Sequence, residues 1–183
     1  MALRVIAGEW RGRRLATPEG EDTRPTSDRV REALFSMLGP LDEDTRVLDL
    51  FAGSGALGIE ALSRGAAEAT FADDDRRAIA VVRANLEALG AGRDVATTHR
   101  ADARAVLRDA RTRLDAYDLV FLDPPYPLAQ ELGEALQDDL HAVLAAGGRI
   151  VTESGRRQPM TLDRLTLAKE RRYGITMIRI YTA

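Results

Sequence analysis

The stretch that most constrains this chain is Val47–Gly58, Val-Leu-Asp-Leu-Phe-Ala-Gly-Ser-Gly-Ala-Leu-Gly. Val47, Leu48 and Leu50 are apolar and β-compatible, so it opens as a buried strand. It closes on glycines that start a helix, predicted from Ala56 to about Arg64. Gly53, Gly55 and Gly58 keep the G-x-G-x-x-G spacing. The first two let the backbone turn sharply and let a ligand approach it; the third lets the helix pack on the strand. Asp49 sits inside the strand, four residues before Gly53, where a hydride-transfer fold usually keeps an apolar residue.

The rest of the chain extends that unit. From Arg46 strands and helices alternate, the pattern of a doubly wound, Rossmann-like α/β sheet. Strands are expected at Arg46–Leu50, Ala69–Ala72, Val95–Thr98, Tyr117–Leu122 and Arg149–Thr152. Helices are expected at Asp75–Leu89, stopped by Gly90, near Ala103–Leu114, and at Ala129–Leu144 with a break near Asp138-Asp139. Leu165–Arg171 and Ile175–Tyr181 flank Tyr173-Gly174 and predict a C-terminal antiparallel hairpin. Ahead of the sheet, Leu3–Ala7 and Arg13–Ala16 predict a small β-hairpin. Thr26, Ser27 or Asp28 caps a helix that reaches Leu38, stopped by Gly39-Pro40. Residues 1–40 are thus an N-terminal hairpin-and-helix extension on a sheet domain of residues 41–183.

Composition removes several function classes. With 183 residues, 45% of them hydrophobic and 30% charged, the chain can bury a full core. No apolar run is long enough to span a membrane, and the first ten residues lack the apolar stretch of a signal peptide. The expectation is a cytoplasmic protein with no membrane partner. There is no cysteine, and His99 and His141 are the only histidines, so no metal is expected. Nothing demands a dimer, and a monomer is expected. The net charge of −3 is no footprint of a strong nucleic-acid binder. Arginine is concentrated near the N-terminus, however, at Arg4, Arg11, Arg13 and Arg14.

In a doubly wound sheet, ligands bind at the carboxyl ends of the strands. Asp49, Asp73 with Asp74, Asp102 and Asp123 all fall at such ends. Asp73 lies about 20 residues beyond Gly53, the separation of a ribose-binding carboxylate. Asp75 is expected to cap the next helix, and Asp102 with Ala103 to flank an adenine amine. A cationic sulfonium carrying an α-amino group suits a cradle of carboxylates, and a pyrophosphate does not. The acids therefore favour S-adenosylmethionine (SAM) over a nicotinamide dinucleotide.

Asp123-Pro124-Pro125-Tyr126 supplies the chemistry. Consecutive prolines remove two backbone donors and fix φ, which is costly unless the rigid turn is used. An exocyclic amine on a nucleobase is a poor nucleophile, because its lone pair is delocalised into the ring. The Asp123 carboxylate and the Pro124 carbonyl can both accept its N–H bonds and localise that lone pair. Asp123 can also receive the proton released on transfer. Tyr126 can stack on a base flipped from its surroundings.

These residues carry a resemblance. With Val47–Gly58 as first motif and Asp123–Tyr126 as amino-methylating motif, the chain resembles the class I SAM-dependent methyltransferases. Gly8-Glu9-Trp10-Arg11-Gly12-Arg13-Arg14 and Arg24-Pro25-Thr26-Ser27-Asp28-Arg29-Val30-Arg31-Glu32 narrow this to the bacterial family that methylates guanine N2 in 16S rRNA. The resemblance covers nearly the whole chain. It implies a seven-stranded sheet, SAM as donor and a guanine of the small ribosomal subunit as acceptor. It implies a catalytic run Asp123, Pro124, Pro125 and Tyr126. It implies a donor site of Asp49, Phe51, Gly53, Gly55, Asp73, Asp74, Asp102 and Ala103, with Thr26 reaching the methionine end. The family often places Glu where this chain has Asp73.

Trp10, Arg11, Arg13, Arg14, Arg24 and Arg29 are the candidate contacts to RNA, either naked or in the small-subunit particle. The alternative for Trp10 is to tuck the hairpin onto the sheet. Two other enzyme readings keep the Asp-Pro-Pro-Tyr chemistry: N6-adenine methylation of DNA or RNA, and methylation of a protein glutamine. A nicotinamide oxidoreductase would leave Asp-Pro-Pro-Tyr idle. A non-catalytic RNA-binding module would need neither the acids nor the glycine turn.

Overall fold

The computed structural model describes residues 3–18 and 28–183. Strands β1 (Arg46–Asp49), β2 (Glu68–Asp73), β3 (Ala96–Arg100), β4 (Tyr117–Leu122), β5 (Leu144–Gly155), β6 (Thr166–Tyr173) and β7 (Thr176–Thr182) form one seven-stranded sheet. Its order is β3-β2-β1-β4-β5-β7-β6, and β7 alone runs against its neighbours. Helices α1 (Asp28–Leu38), α2 (Ala56–Ser63) and α3 (Arg76–Leu89) cover one face. Helices α4 (Ala103–Arg113) and α5 (Ala129–Val143) cover the other. No helix among the described residues is long and apolar enough to cross a membrane.

Side chains alternate across this sheet, and the alternation sorts the core. Val47, Phe71, Phe121, Val151 and Ile178 point to the α1–α3 face, whereas Leu48, Leu50, Val120, Leu122 and Ile150 point to the α4–α5 face. The helices begin where the sequence supplies caps. Asp75 accepts from the Arg77 N–H at 2.8 Å and starts α3, which Gly90 ends with φ of 77°. Asp102 accepts from the Ala105 N–H at 3.0 Å and starts α4.

Three elements differ from expectation. Helix α5 runs unbroken through Asp138-Asp139, and Asp139 is held by Arg111 at 3.1 Å. Strand β5 continues past Thr152 to Gly155 because β7 pairs with it along that whole stretch, ending at Gly155↔Thr176. The N-terminal hairpin keeps its crossing bonds, Val5 N–H to Arg13 O and Leu15 N–H to Leu3 O, each 2.9 Å. Its regular pairing is reduced to one bridge, Arg4↔Arg14.

That hairpin is docked by α2. The buried Glu60 carboxylate accepts the Ile6 N–H at 2.7 Å and the Ala7 N–H at 3.0 Å. Ser63 accepts the Trp10 N–H at 3.0 Å and donates to Ala7 O at 2.6 Å. Gly8 lies so close to Ser63 that a Cβ there would stand 1.6 Å from the Ser63 carbonyl oxygen. Leu3, Val5 and Leu15 join the same core cluster as α1, α2 and α3. The proposed cap residues Thr26 and Ser27 lie outside the described residues.

Candidate active site

Strand register decides which acids meet. Asp49 pairs with Phe71 of β2 and Phe121 of β4, and Phe121 pairs with Val151 of β5. Phe71, Asp49, Phe121 and Val151 thus form one layer across four adjacent strands on the α1–α3 face. Two residues on, at the strands' carboxyl ends, come Asp73, Phe51, Asp123 and Glu153. Phe51, beyond the end of β1, also packs against the α4–α5 cluster, whereas Asp73 and Glu153, still within their strands, return to the α1–α3 face, where a cleft of about 630 Å³ opens. Its wall includes Asp49, Phe51, Gly53, Asp73, Asp123 and Glu153.

The glycine turn has the predicted division of labour. Gly53 has φ of 52° and open space where a Cβ would be, so a ligand can reach its backbone. Gly55 has φ of 78° and starts α2. Gly58 packs on Phe71 of β2, where a Cβ would stand 2.4 Å from the ring. Asp73 fixes this turn: one oxygen accepts the Gly53 N–H and the other the Asp75 N–H, both at 2.9 Å. Asn85 of α3 ties the turn to the N-terminal segment, donating to Ser54 O at 2.9 Å and Ala16 O at 3.0 Å.

Asp49 is the most perturbed acid described. It is 1% exposed, and one oxygen accepts the Gly58 N–H at 3.1 Å. The other oxygen is buried with no partner. Burial pushes its carboxyl up to about 7, opposed by the Gly58 bond and assisted by the Asp73 charge. A buried carboxylate with one unsatisfied oxygen on a cleft wall is a seat for a cation.

The Asp-Pro-Pro-Tyr run leaves β4 and enters a short 3₁₀ turn, Tyr126–Leu128. The Tyr126 hydroxyl bonds to the Thr176 hydroxyl at 2.8 Å and donates to Glu153 at 3.3 Å. The ring rests on Gly155, where a Cβ would stand 3.1 Å from it. Burial, then the charges of Glu153 and Asp123, push the phenol up to about 12, so it stays neutral.

Among the predicted residues, Asp49, Phe51, Gly53, Asp73, Asp74, Asp123, Pro124, Pro125 and Tyr126 share the cleft wall. Gly55 lies just beneath it, at the start of α2. Asp102 and Ala103 open α4 at the end of β3 and do not line the cleft. The hairpin tip lies elsewhere. It docks on Ser63, at the opposite end of α2 from the cleft residues Ala56 and Leu57, about 10 Å along the helix. Trp10 packs against the core, and Arg13 donates to Ala88 O at the far end of α3. Arg11 and Arg14 are exposed there. Arg29 is exposed on α1, and Arg24 and Thr26 lie outside the described residues.

Two charged cleft residues, Glu153 and Arg31, have no role assigned from the sequence. Glu153 lies one position beyond Thr152, where the sequence predicts the strand to end; its parity with Val151 is the signal that finds it. Arg31 is wholly buried yet on the cleft wall, and donates to Asp28 at 3.0 Å and to Arg4 O. Its Nε and Nη1 have no partner. Burial pulls its guanidinium below the ordinary value, against the opposing charges of Glu60, Asp28 and Glu153.

The sheet order, the antiparallel β7 and the cleft beside a glycine turn define the fold of the SAM-dependent methyltransferases. A SAM-dependent methyltransferase from Agrobacterium tumefaciens shares that fold with a TM-score of 0.59 at 23% identity, over 68% of this chain and 43% of the other. The chain belongs to the family described as Conserved hypothetical protein 95, whose model matches residues 3–182. It is similar to the Ribosomal RNA small subunit methyltransferase D of Haemophilus influenzae, 37% identical over 98% of this chain and 93% of the relative. The protein of that name from Escherichia coli is 44% identical over 75% of this chain and 68% of the relative. A solved structure described as a hypothetical protein of Thermus thermophilus superposes with a TM-score of 0.83 at 30% identity, covering 99% of both chains.

Proposed function

We propose that this chain transfers the methyl group of SAM to the exocyclic N2 amine of a guanine in 16S rRNA, as a cytoplasmic monomer. The observation that carries this reading is the arrival of Asp123–Tyr126 in the same cleft as Asp73 and the glycine turn. The family relatives named as small-subunit rRNA methyltransferases support the substrate class.

The cleft fits the donor. Asp73 would hold the ribose, Asp49 the cationic methionine end, and Gly53 the backbone approach. Phe51 and Asp74 would line the donor, whereas Asp102 and Ala103, outside the cleft wall, are left without a donor contact in this reading. Bound SAM supplies a methyl on a sulfonium, whose C–S bond breaks with its electron pair going to sulfur. Asp123 and the Pro124 carbonyl accept the two amine N–H bonds and leave the nitrogen lone pair directed at the methyl. Asp123 takes up the proton released once the N–C bond has formed. Holding the amine there removes most of the orientational cost of the reaction. The test is methyl transfer from labelled SAM to small-subunit RNA and particles, with nucleoside analysis of the product. N2-methylguanosine is expected; any other methylated nucleoside would overturn the reading.

Asp49 makes donor binding depend on pH. Its carboxyl is up near 7 in the folded chain, against about 3.9 in an unfolded one. Between those values the folded state holds the extra proton, so stability falls as pH rises from about 4 to about 7 and then levels. A cation in the cleft favours the ionised form, so SAM binding releases a proton below about pH 7. Affinity should rise with pH by up to about tenfold per unit and flatten above about pH 7. Asp49→Asn should bind more weakly at pH 8 and lose this slope. Calorimetry in buffers of differing ionisation enthalpy reads both, and a wild-type affinity flat from pH 5.5 to 8 would refute the assignment.

The RNA grip can be located by comparison. Besides the hairpin arginines, Arg156 and Arg157 are exposed just past Gly155, at the cleft's own end of the sheet. Changing Arg156 and Arg157 to Ala should raise KM for the ribosomal particle. It should also flatten the salt dependence by roughly one log-log unit for each phosphate no longer neutralised. Arg11, Arg13 and Arg14 changed together should cost less. KM titrations at several salt concentrations decide, and the reverse ranking would place the RNA on the hairpin.

A further inference from the structure

We infer that Glu153 reads the acceptor base as guanine, its carboxylate accepting the N1–H while Asp123 and Pro124 hold the N2 amine. The inference deepens the function proposed above and rests on it.

Register makes the geometry. Leu122 of β4 pairs with Thr152 of β5, so Glu153 is the next residue of β5 and Asp123 the first residue beyond β4. Glu153 lies on the α1–α3 face with its partner Ile178, and both acids line the cleft. Neighbouring strands stand about 4.8 Å apart. Two carboxylates at that spacing can meet two adjacent groups on one edge of a base. Glu153 is 5% exposed, so its charge is not a solvated surface feature. Tyr126, from the catalytic run itself, reaches it at 3.3 Å.

The chemistry then selects the base. The Watson–Crick edge of guanine presents N1–H and N2–H side by side, two donors. Adenine presents an acceptor at N1 beside its N6 donors. An ionised carboxylate only accepts, so Glu153 matches the guanine edge and opposes the lone pair of adenine N1. A site that hydrogen-bonds a substrate group rejects the analogue lacking it far more strongly than an apolar pocket can. Asp123-Pro124-Pro125-Tyr126 serves any planar amine, whereas Glu153 beside it distinguishes the N2 amine of guanine from the N6 amine of adenine.

The competing role for Glu153 is to brace Tyr126, and pH separates the two. The test is single-turnover transfer from labelled SAM to small-subunit particles by wild type, Glu153→Gln and Glu153→Asp. SAM affinity and thermal midpoint are measured for each. Glu153→Gln should lose about 100-fold or more in rate with SAM affinity unchanged. Tyr126 donates to one end of the group, which holds the amide oxygen there and leaves the amide N–H facing guanine N1–H. As pH rises and N1 loses its proton, that clash becomes a hydrogen bond, so the variant should gain rate while wild type declines. A near wild-type rate, or a loss with the wild-type pH profile, would overturn the inference and leave Glu153 as a brace. If Glu153→Gln folds poorly, Glu153→Asp decides. It keeps the charge but is one methylene shorter, so it should keep the wild-type profile at a rate lowered about tenfold or more; an undiminished rate would overturn the inference. Nucleoside analysis keeps the two readings apart. A product other than N2-methylguanosine defeats the proposed function, whereas N2-methylguanosine with a wild-type rate for Glu153→Gln defeats this inference alone.

Discussion

Asp123→Ala should lower methyl transfer by about 10²–10⁴-fold, the range for loss of a positioned general base. The carboxylate sits two residues beyond the Phe121 layer, at the acceptor end of the cleft. In the proposed reaction it contacts the amine and takes up the departing proton, so its loss should fall on the chemical step. SAM affinity should change little, because the proposed ribose seat is Asp73 on β2, two strands away. Asp123→Asn keeps one acceptor but not the basicity, and should fall between the two. Single-turnover rates with calorimetric SAM affinities test this. An Asp123→Ala enzyme near the wild-type rate would refute amine activation by this residue.

The second large effect concerns stability. Glu60→Ala should cost about 3–5 kcal/mol, the range for removing one member of a buried charged group. The 1%-exposed Glu60 carboxylate holds the Ile6 and Ala7 N–H groups and the Arg64 guanidinium. It is also the foremost counter-charge to buried Arg31. The truncation leaves the Ile6 and Ala7 N–H groups and Arg64 short of an acceptor, and Arg31 short of a counter-charge. Against a typical total of about 5–15 kcal/mol, the hairpin should come off α2. Trypsin should then cut at Arg11, Arg13 or Arg14, and SAM should bind more weakly because Leu3, Thr17 and Pro18 line the cleft. Glu60→Gln, which keeps an acceptor, should cost less. Urea unfolding measures the difference; a cost under about 1 kcal/mol would show that Glu60 is no clamp.

Local chemistry was legible in the chain. The cap at Asp75, the stop at Gly90 and the three tasks of the glycine turn each depend on residues within a few positions of one another. Their position at the carboxyl ends of successive strands also brought Asp49, Asp73 and Asp123 together, and all three line the cleft. What stayed hidden depends on distant partners. Strand β5 extends to Glu153 and Gly155 only because β7 pairs with it, and no feature of Thr152-Glu153-Ser154 announces that. Arg31 has the spacing of an ordinary solvated helix charge, and becomes buried only once Arg4, Asp28 and α2 close around it. The placement of the hairpin arginines was hidden too, because sequence shows charge but not where a segment docks. Burial of the Gly8–Trp10 backbone against Ser63 carries the tip to the far end of α2.

The irregularity between β4 and β5 has a mechanical consequence. The pairing Tyr117↔Leu144 is followed by Leu119↔Arg149, so β5 takes up extra residues around Gly147, whose φ is 76°. From Leu119↔Arg149 the ladder runs without interruption to Leu122↔Thr152. The slack is therefore confined to the end of the sheet remote from the cleft. It works as an expansion joint: length changes in the α5–β5 connection can be absorbed there without turning Glu153 to the opposite face from Asp123. Drift in that connection is thereby uncoupled from the alignment of the two carboxylates.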